Sequence, residues 1–559
     1  IACLLSLAVV SGCDSILDKG PLDSFTNDNF WTGEGNISGY ANAFYEQFLG
    51  YGNGNGYGDF YFKTLSDDQA GMSFAKWTYP DNAPSTSATW KNGWIEVRRA
   101  NIMLENVPTV ASLDEATKNH WLGVARLMRA WQYYHLVRMY GNLPWIDKAL
   151  NINDEGEIYG NREDRDMVMD KVLEDLDFAV TNIKDISSKT TWSRSLANAM
   201  KAEVCLYEGT FRKYRKNEDG QQAPDATGAA RYLTACKEAC LAVMSKGYKL
   251  NTSYQGNYNS TDLSSNPEMI LYKAYKEGLL MHSTIDYTCS STQISGMSKN
   301  AFESYLFKDG KPMALTSLNK SDEAPFQYGH LSLKDILAVR DKRLAQTIDT
   351  VLLYNGRGFT RFNTGMESTS STGYGVAKYD NEAIPEGFRS QSGKNYTHAP
   401  LFWLSVIYLN YAEACAELGN ITQDDLDKSI NLLKDRAGLP HLNPIVGFSD
   451  PANNHGVSDL IWEIRRERRC ELMFDNDNRY WDLIRWHQLD KLDTTKYPDI
   501  ILGANVANDM DGCEANKVGK YIDGSKDGSR IYDKKHYLYP IPTGQIALNP
   551  QLAPNNPGW

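Results

Sequence analysis

Apolar residues recur at helical spacing in two long stretches of this chain, and the stretch between them lacks that pattern. The first runs from about Trp90 to Lys246. Its segment WLGVARLMRAWQYYHLVRMYG places Trp121, Val124, Leu127, Met128, Trp131 and Tyr134 near one helical face. Gly141 then marks a stop. DRDMVMDKVLEDLDFAVTNI repeats the pattern with Met167, Val168, Val172, Leu173, Leu176 and Val180. SLANAMKAEVCLYEGTFRKY carries alanine where two helices can approach closely, and AARYLTACKEACLAVMSKG predicts another helix. A late pair follows as FWLSVIYLNYAEACAELG and DLDKSINLLKDRAGLP.

The small and aromatic positions of these pairs resemble helix-turn-helix repeats of the tetratricopeptide kind, YLNYAEACAELG best of all, without a strict 34-residue period. An unrepeated helical bundle is the alternative. The expected fold is mainly α: a tetratricopeptide-like helical repeat scaffold with a large irregular, loop-rich portion. Stacked repeats of this type give a curved body with a concave side. Residues 250–400 are rich in Gly, Ser, Thr, Asn and Tyr, and loops of this length are usually functional or disordered. Frequent aromatics, among them Tyr254, Tyr258, Tyr305 and Tyr379, argue for order. Residues 50–90 form a second irregular block. It opens GYGNGNGYGDFYF, a flexible Gly-Asn turn region that lacks the GxGxxG spacing of a phosphate loop.

The chain begins IACLLSLAVVSGCDS. Residues 1–10, almost wholly apolar, are too few to cross a bilayer, which takes about 20, but they fit the core of a secretory signal. No Met or basic leader precedes Ile1, so the signal reads as missing its first residues. Val10-Ser11-Gly12-Cys13 resembles a bacterial lipobox, which implies acylation of Cys13 and removal of residues 1–12. A stable anchor needs more than one acyl chain, and that modification supplies several. No second apolar segment is long enough to span a membrane, so the mature body is expected to be soluble and tethered. A net charge of −12 argues against a nucleic-acid partner. Nine scattered cysteines are no disulfide framework, and Cys236 and Cys240, without a second pair or nearby His, read as small buried residues rather than zinc ligands.

At Leu460 the chain reads LIWEIRRERRCELMFDNDNRYWDLIRW. Ile461, Ile464, Leu472, Met473 and Phe474 give this charged segment an apolar helical face. The segment resembles the C-terminal signature of the SusD/RagB family of Bacteroidetes outer-membrane lipoproteins. The matching residues are Ile464, Glu467, Arg468, Arg469, Glu471, Leu472, Arg479, Trp481, Asp482, Leu483, Arg485 and Trp486. The family's Glu-Gly after the Phe is replaced by Asp475-Asn476, and Tyr480 separates Arg479 from Trp481, so a local loop change is expected. VRRAN, MRAWQYYHLVRMYGNLPWI and the closing YLYPIPTGQIALNPQLAPNNPGW also resemble family segments, so the likeness runs along the whole chain. The carboxylates and guanidinium groups of the long motif are read as structural, since such groups pair bidentately.

The resemblance implies one SusD-like domain over residues 13–559, with a helical part at about 13–250, a loop-rich insert at about 250–400 and a C-terminal helical part with a closing segment at about 400–559. It implies a lipid-anchored cell-surface protein of the outer membrane that binds glycans without cleaving them and serves a SusC-like TonB-dependent transporter. RagB-type members take peptides instead. A glycoside hydrolase is a third reading, but it requires two carboxylates at a set separation, and no GxSxG, HExxH or P-loop motif is present.

A neutral sugar needs an aromatic platform and a few orienting polar groups, expected in irregular segments. Trp77 in SFAKWTYPDN and Tyr287 in DYTCSSTQ fit as platforms, with Cys289 a small neighbour. Asp59, Glu34, Asn36, Arg361, Asp67 and Asp68 are the candidate polar partners. Trp90 and Trp94 sit at packing spacing and read as core. No cofactor is expected. DNDNRYW and DGSKDGSRIYDK each resemble part of a calcium loop but lack its full ligand set. FRKYR after LYEGT resembles a subgroup with fructan-binding members, which suggests levan-type fructan, while neutral plant or host glycans stay open.

Overall fold

Most of the long helices start where a short polar side chain can accept a hydrogen bond from an orphan backbone N–H. The structure is a computed structural model that describes residues 30–62, 65–71, 80–217, 222–289, 295–318, 333–353, 362, 370–506, 517–525 and 528–559. Cys13, Trp77 and Arg361 lie outside the described residues. The helices that build the body are α1 (Glu34–Asn42), α2 (Ala88–Asn106), α3 (Glu115–Tyr140), α4 (Arg165–Asn182), α5 (Arg194–Tyr214) and α6 (Ala226–Met244). After them come α7 (Thr284–Cys289), α8 (Leu404–Glu417), α9 (Ile430–Ala437), α10 (Asp459–Glu471) and α11 (Asn478–Arg485). Ser87, Asp114, Ser193, Asp225 and Ser458 cap α2, α3, α5, α6 and α10. Gly141, at φ +71°, ends α3 where the sequence places the stop.

The helices pack in succession: α2 on α3, α3 on α4, α5 on α6, then α8 on α6 and α10 on α8. Small residues set the approach. A Cβ on Gly209 of α5 would lie 2.8 Å from Leu233 of α6, and one on Gly93 of α2 would lie 2.5 Å from Leu136 of α3. This is the expected tetratricopeptide-like scaffold. Trp90 is buried and meets Trp94 and Tyr140 edge-on at 5.6 and 5.0 Å, as its packing spacing implies. Cys236 and Cys240 are buried in α6, and the Cys236 thiol faces the Asn410 carbonyl of α8 at 3.8 Å.

Two sequence expectations need correction. FW does not start a helix: Ala399–Trp403 is a strand (β4) and α8 begins at Leu404. β4 pairs antiparallel with β2 (Met269–Lys273), with Met269 opposite Trp403 and Lys273 opposite Ala399. Short strands β1 (Gln69–Ala70) and β3 (Gly296–Met297) also pair, and β5 (Leu502–Asn505), β6 (Lys517–Val518) and β7 (Tyr521–Asp523) form a sheet ordered β5-β7-β6. Second, the DLDKSINLLKDRAG helix is broken, into Gln423–Asp427 and α9.

Four tyrosines of the insert turn inward. Tyr254, Tyr258, Tyr305 and Tyr379 are buried, and their hydroxyls donate to the Glu471 carbonyl, the Asp475 carboxylate, the Cys470 carbonyl and the Phe474 carbonyl at 2.9, 2.7, 3.3 and 3.0 Å. The insert thus docks on the C-terminal end of α10. At the break from the family pattern, Asn476 sits at φ +51°. Asparagine tolerates that left-handed conformation better than most residues, so it can stand where a glycine is usual. Asp475 pairs with Lys378 of the insert at 2.7 Å.

Every charged residue of the long motif that faces inward has a partner. Arg343 of the insert bridges Glu467 and Glu471 at 2.5 and 2.8 Å. Arg468 bonds Asp482 of α11 at 2.8 Å and Asn410 of α8 at 2.7 Å. Arg465 reaches Glu417 at 2.9 Å, and Arg485 grips both oxygens of Glu413 at 2.6 and 2.8 Å. Trp486 donates to the same carboxylate at 2.6 Å. Burial pushes the Glu413 carboxyl up, but Arg485 and its neighbours Arg468 and Arg465 more than offset this and hold it at about 2.

Breaking a buried pair from one side leaves an uncompensated charge and costs roughly 3–5 kcal/mol. Arg485→Met is therefore expected to lower the stability read by urea unfolding by about that amount. Because the folded-state value of Glu413 lies below its ordinary 4.5, the pair's contribution is present above pH 4.5 and lost as pH falls towards 2. The stability gap between wild type and variant should close over that window.

Candidate functional site

The Gly-Asn turn is pinned along its length. Gly52 and Gly54 adopt φ +86° and +56°, a region glycine enters without strain. The Gly54 N–H donates to the Met281 carbonyl at 2.7 Å, and Ser283 Oγ donates to the Gly54 carbonyl at 2.7 Å. The Tyr275 hydroxyl donates to the Gly52 carbonyl at 2.8 Å. Buried Tyr51 anchors the start of the turn through its hydroxyl on the Tyr258 carbonyl at 2.6 Å. The expectation of a flexible segment does not describe this arrangement.

Out of this turn stands Tyr57, 59 % exposed. Its ring stacks on Phe62 with centroids 4.5 Å apart and planes 16° apart. Tyr287 meets both edge-on, at 5.6 and 5.7 Å, and its hydroxyl donates to the Asn55 carbonyl at 3.3 Å. Tyr287 is placed by α7, whose first turn is held by Asn395: its Oδ1 accepts from the Ile285 and Asp286 N–H groups at 2.9 and 3.2 Å. Ser392 Oγ in turn donates to the Asp286 carboxylate at 2.7 Å. The result is an outward-facing aromatic cluster on a hydrogen-bonded base. Phe62 also borders a cavity of about 510 Å³ shared with Asp59, Gln47, His135, Arg138 and Asn478. An apolar ring face beside polar groups at a cavity mouth can hold a ring that is apolar on one face and hydroxylated at its rim.

Of the residues expected from sequence, Tyr287 belongs to this cluster and Asp59 borders the cavity that Phe62 shares. Cys289 does not. It lies two residues along the short helix from Tyr287, on the inward side, fully buried with Ile285, Phe362 and Ile384, and its thiol faces the Val376 carbonyl at 3.6 Å. Glu34 and Asn36 belong to α1. Glu34 accepts from the Trp121 indole at 3.0 Å and pairs with Lys184 at 3.6 Å, while Asn36 donates to the Phe30 carbonyl at 2.5 Å. Glu34 fastens α1 to α3 and Asn36 ties α1 to the segment just before it, so neither serves the cluster. Asp67 and Asp68 are buried in ion pairs, Asp67 with Arg479 at 2.6 Å and Asp68 with Arg469 at 2.7 Å. Burial pushes the Asp67 carboxyl up, yet Arg469 and Arg479 beside it hold it well below the usual carboxylate range. These two aspartates serve the α10 network.

Tyr57 and Phe62 escaped the sequence reading. The signal was present, since both are aromatics in a glycine-rich irregular segment, the criterion that selected Trp77. DFYF obscured it by placing two buried rings, Phe60 and Tyr61, between exposed Tyr57 and half-buried Phe62. Among the described residues no three His, Cys, Asp or Glu converge as metal ligands. Asp475 of the DNDN run is taken by Lys378.

Residues 242–559 match the model of the SusD family, and residues 26–206 match a model described as starch-binding associating with outer membrane. A SusD-like protein of Formosa agariphila is 24% identical over 496 residues, 86% of this chain and 90% of that protein. A SusD-like carbohydrate-binding protein of Bacteroides fragilis shares the fold with a TM-score of 0.70 at 20% identity, over 94% of this chain and all of that one. A laminarin-binding SusD-like protein does so with a TM-score of 0.55 at 19% identity, over 94% of this chain and all of that one. No helix among the described residues is long and apolar enough to cross a membrane. The matched models, taken with the α10 signature and its buried ion pairs, place the chain in the SusD family.

Proposed function

We propose that this protein captures glycans outside the cell on the Tyr57–Phe62–Tyr287 cluster and delivers them to a SusC-like TonB-dependent transporter, tethered to the outer membrane through lipid on Cys13. The observation that carries this reading is the exposed Tyr57 ring stacked on Phe62 beside a cavity bordered by Asp59. Two hydrogen-bonded supports, the glycine turn and α7, fix the rings before ligand arrives, so little ordering entropy is lost on binding. The carbohydrate-binding and laminarin-binding relatives support a glycan as ligand. Trp77, ten residues beyond Asp67 in sequence, is proposed as a further platform residue, and Arg361 as a polar contact. The reading is of binding without turnover. Levan-type fructan rests on FRKYR alone, and in the fold those residues close α5: Arg212 pairs with Glu208 at 2.6 Å, Lys213 with Glu417 at 2.8 Å and Arg215 with Asp166 at 2.7 Å.

Isothermal titration of the chain with residues 1–13 removed, against neutral polysaccharides, levan and mixed peptides, tests the class of ligand. Heat from a neutral glycan and none from peptides is expected. Binding to peptides alone would shift the reading to the RagB type, and release of reducing ends would make it an enzyme.

Tyr57→Ala is expected to weaken glycan binding roughly 5- to 100-fold, taking ring stacking as ~1–3 kcal/mol, its size for nucleobases on aromatic side chains. Its thermal unfolding should match wild type, because the ring is exposed. Gly52→Ala should weaken binding with Tyr57 intact: a Cβ there would lie 2.3 Å from the Gly56 carbonyl at a positive φ, forcing the turn to move.

A further inference from the structure

A second cavity, also about 510 Å³, opens on the opposite flank of the motif, where α10 and α11 face the turn that carries Lys491. Its size suits one small ligand. Five basic side chains line it: Arg465, Arg466, Arg469, Arg479 and Lys491. Three are neutralised by carboxylates, Arg466 by Glu463 and Asp450, Arg469 by Asp68 and Asp67, and Arg479 by Asp67.

Two are not. Arg465 is 4 % exposed and gives one nitrogen to Glu417, leaving Nε and Nη1 buried with no hydrogen-bond partner among the described residues. Lys491 is 9 % exposed, and its ammonium lies 4.6 Å over the Trp462 ring with no carboxylate paired to it among the described residues. A buried donor left unmet costs about 1–3 kcal/mol, more when charged. On one cavity wall Arg465 thus keeps two donors without an acceptor and Lys491 has no carboxylate partner among the described residues. The walls beside them are apolar, formed by Trp462, Met313, Pro451 and Ile500.

We propose that this cavity is an oxyanion site, separate from the aromatic cluster, in which Lys491 and the open edge of Arg465 hold the carboxylate or sulfate of a ring-bearing acidic ligand such as an acidic sugar. The ring lies against Trp462 while the anion meets both cations. The assignment does not rest on the Tyr57 platform.

The site carries its own pH signature. Burial first, and then Arg479, Arg469 and Arg465, bring the Lys491 ammonium down to about 7, against the opposing pull of Asp67. The other charged groups facing the cavity are Arg466, Glu303, Asp450 and Asp499. Lys491 is charged below pH 7 and neutral above it, so anion affinity should be highest below pH 7 and fall as pH rises through it. A bound anion favours the ammonium and raises the pH at which it titrates.

Titration of the full chain with sodium sulfate and sodium glucuronate, below and above pH 7, with glucose as the neutral control, tests this. The expected result is saturable anion binding that weakens on raising the pH, with no response to glucose. Sulfate binding the tighter assigns a sulfate ester, and glucuronate the tighter assigns a carboxylate. Lys491→Gln should cut the affinity roughly tenfold or more, a charge-assisted hydrogen bond being worth ~1.5–3 kcal/mol, and flatten the pH profile. The variant removes an unpaired buried charge, so its melting temperature should not fall. The wild-type pH profile reads the same point without any variant. Binding of neither anion, or anion affinity unchanged by pH and by Lys491→Gln, overturns the proposal.

Discussion

A thirteen-residue helix with four arginines and three glutamates at its core holds this molecule together. On α10 the charged residues Glu463, Arg465, Arg466, Glu467, Arg468 and Glu471 are all buried. Buried charge is tolerable only where a partner and further hydrogen bonds replace the lost water. The partners here come from every part of the chain: Asp67 and Asp68 near the start, Glu417 from α8, Arg343 from the insert and Asp482 from α11. Each contact is specific in geometry, so the network fixes the relative positions of segments hundreds of residues apart. Apolar packing alone would bring these surfaces together with far less positional discrimination.

The cluster at Tyr57 inherits its rigidity from this network by a short route. The insert docks on the end of α10 through four tyrosine hydroxyls, and one of those tyrosines, Tyr258, supplies the carbonyl that anchors Tyr51 at the root of the glycine turn. Tyr51 in turn packs edge-on against Tyr379, whose hydroxyl reaches the Phe474 carbonyl. A turn made of glycine and asparagine would have many conformations in isolation. Here it has few, because its carbonyls and N–H groups are spoken for on both sides. Flexible composition and a fixed ring are compatible once the backbone is tied down.

The helical half of the fold was readable because its cause is local. Apolar spacing, capping residues and Gly141 act over one or two turns, and α3 through α6 follow them. The role of the charged motif was readable as well, since arginine and glutamate at such density on an apolar helix have few uses other than pairing. What escaped the sequence depended on distant partners. Ala399–Trp403 is a strand because Met269–Lys273 lies alongside it, a fact absent from the local pattern. The insert's tyrosines signal order, yet only the tertiary fold shows that Tyr254, Tyr258, Tyr305 and Tyr379 point inward. Cys289 and Tyr287 are two residues apart and face opposite ways because two residues turn a helix through roughly half a revolution. Asp67 and Asp68 looked available in an irregular segment, and are held by arginines some 400 residues away in sequence.

The central claim is that a charge-locked scaffold presents preformed aromatic rings to a sugar. A crystal structure of the protein soaked with an oligosaccharide that binds it tests this most directly. The account predicts a sugar ring lying on the Tyr57–Phe62 face, with Tyr287 at its edge and the glycine turn unmoved. A sugar bound elsewhere, or a turn that refolds to reach it, would contradict the account.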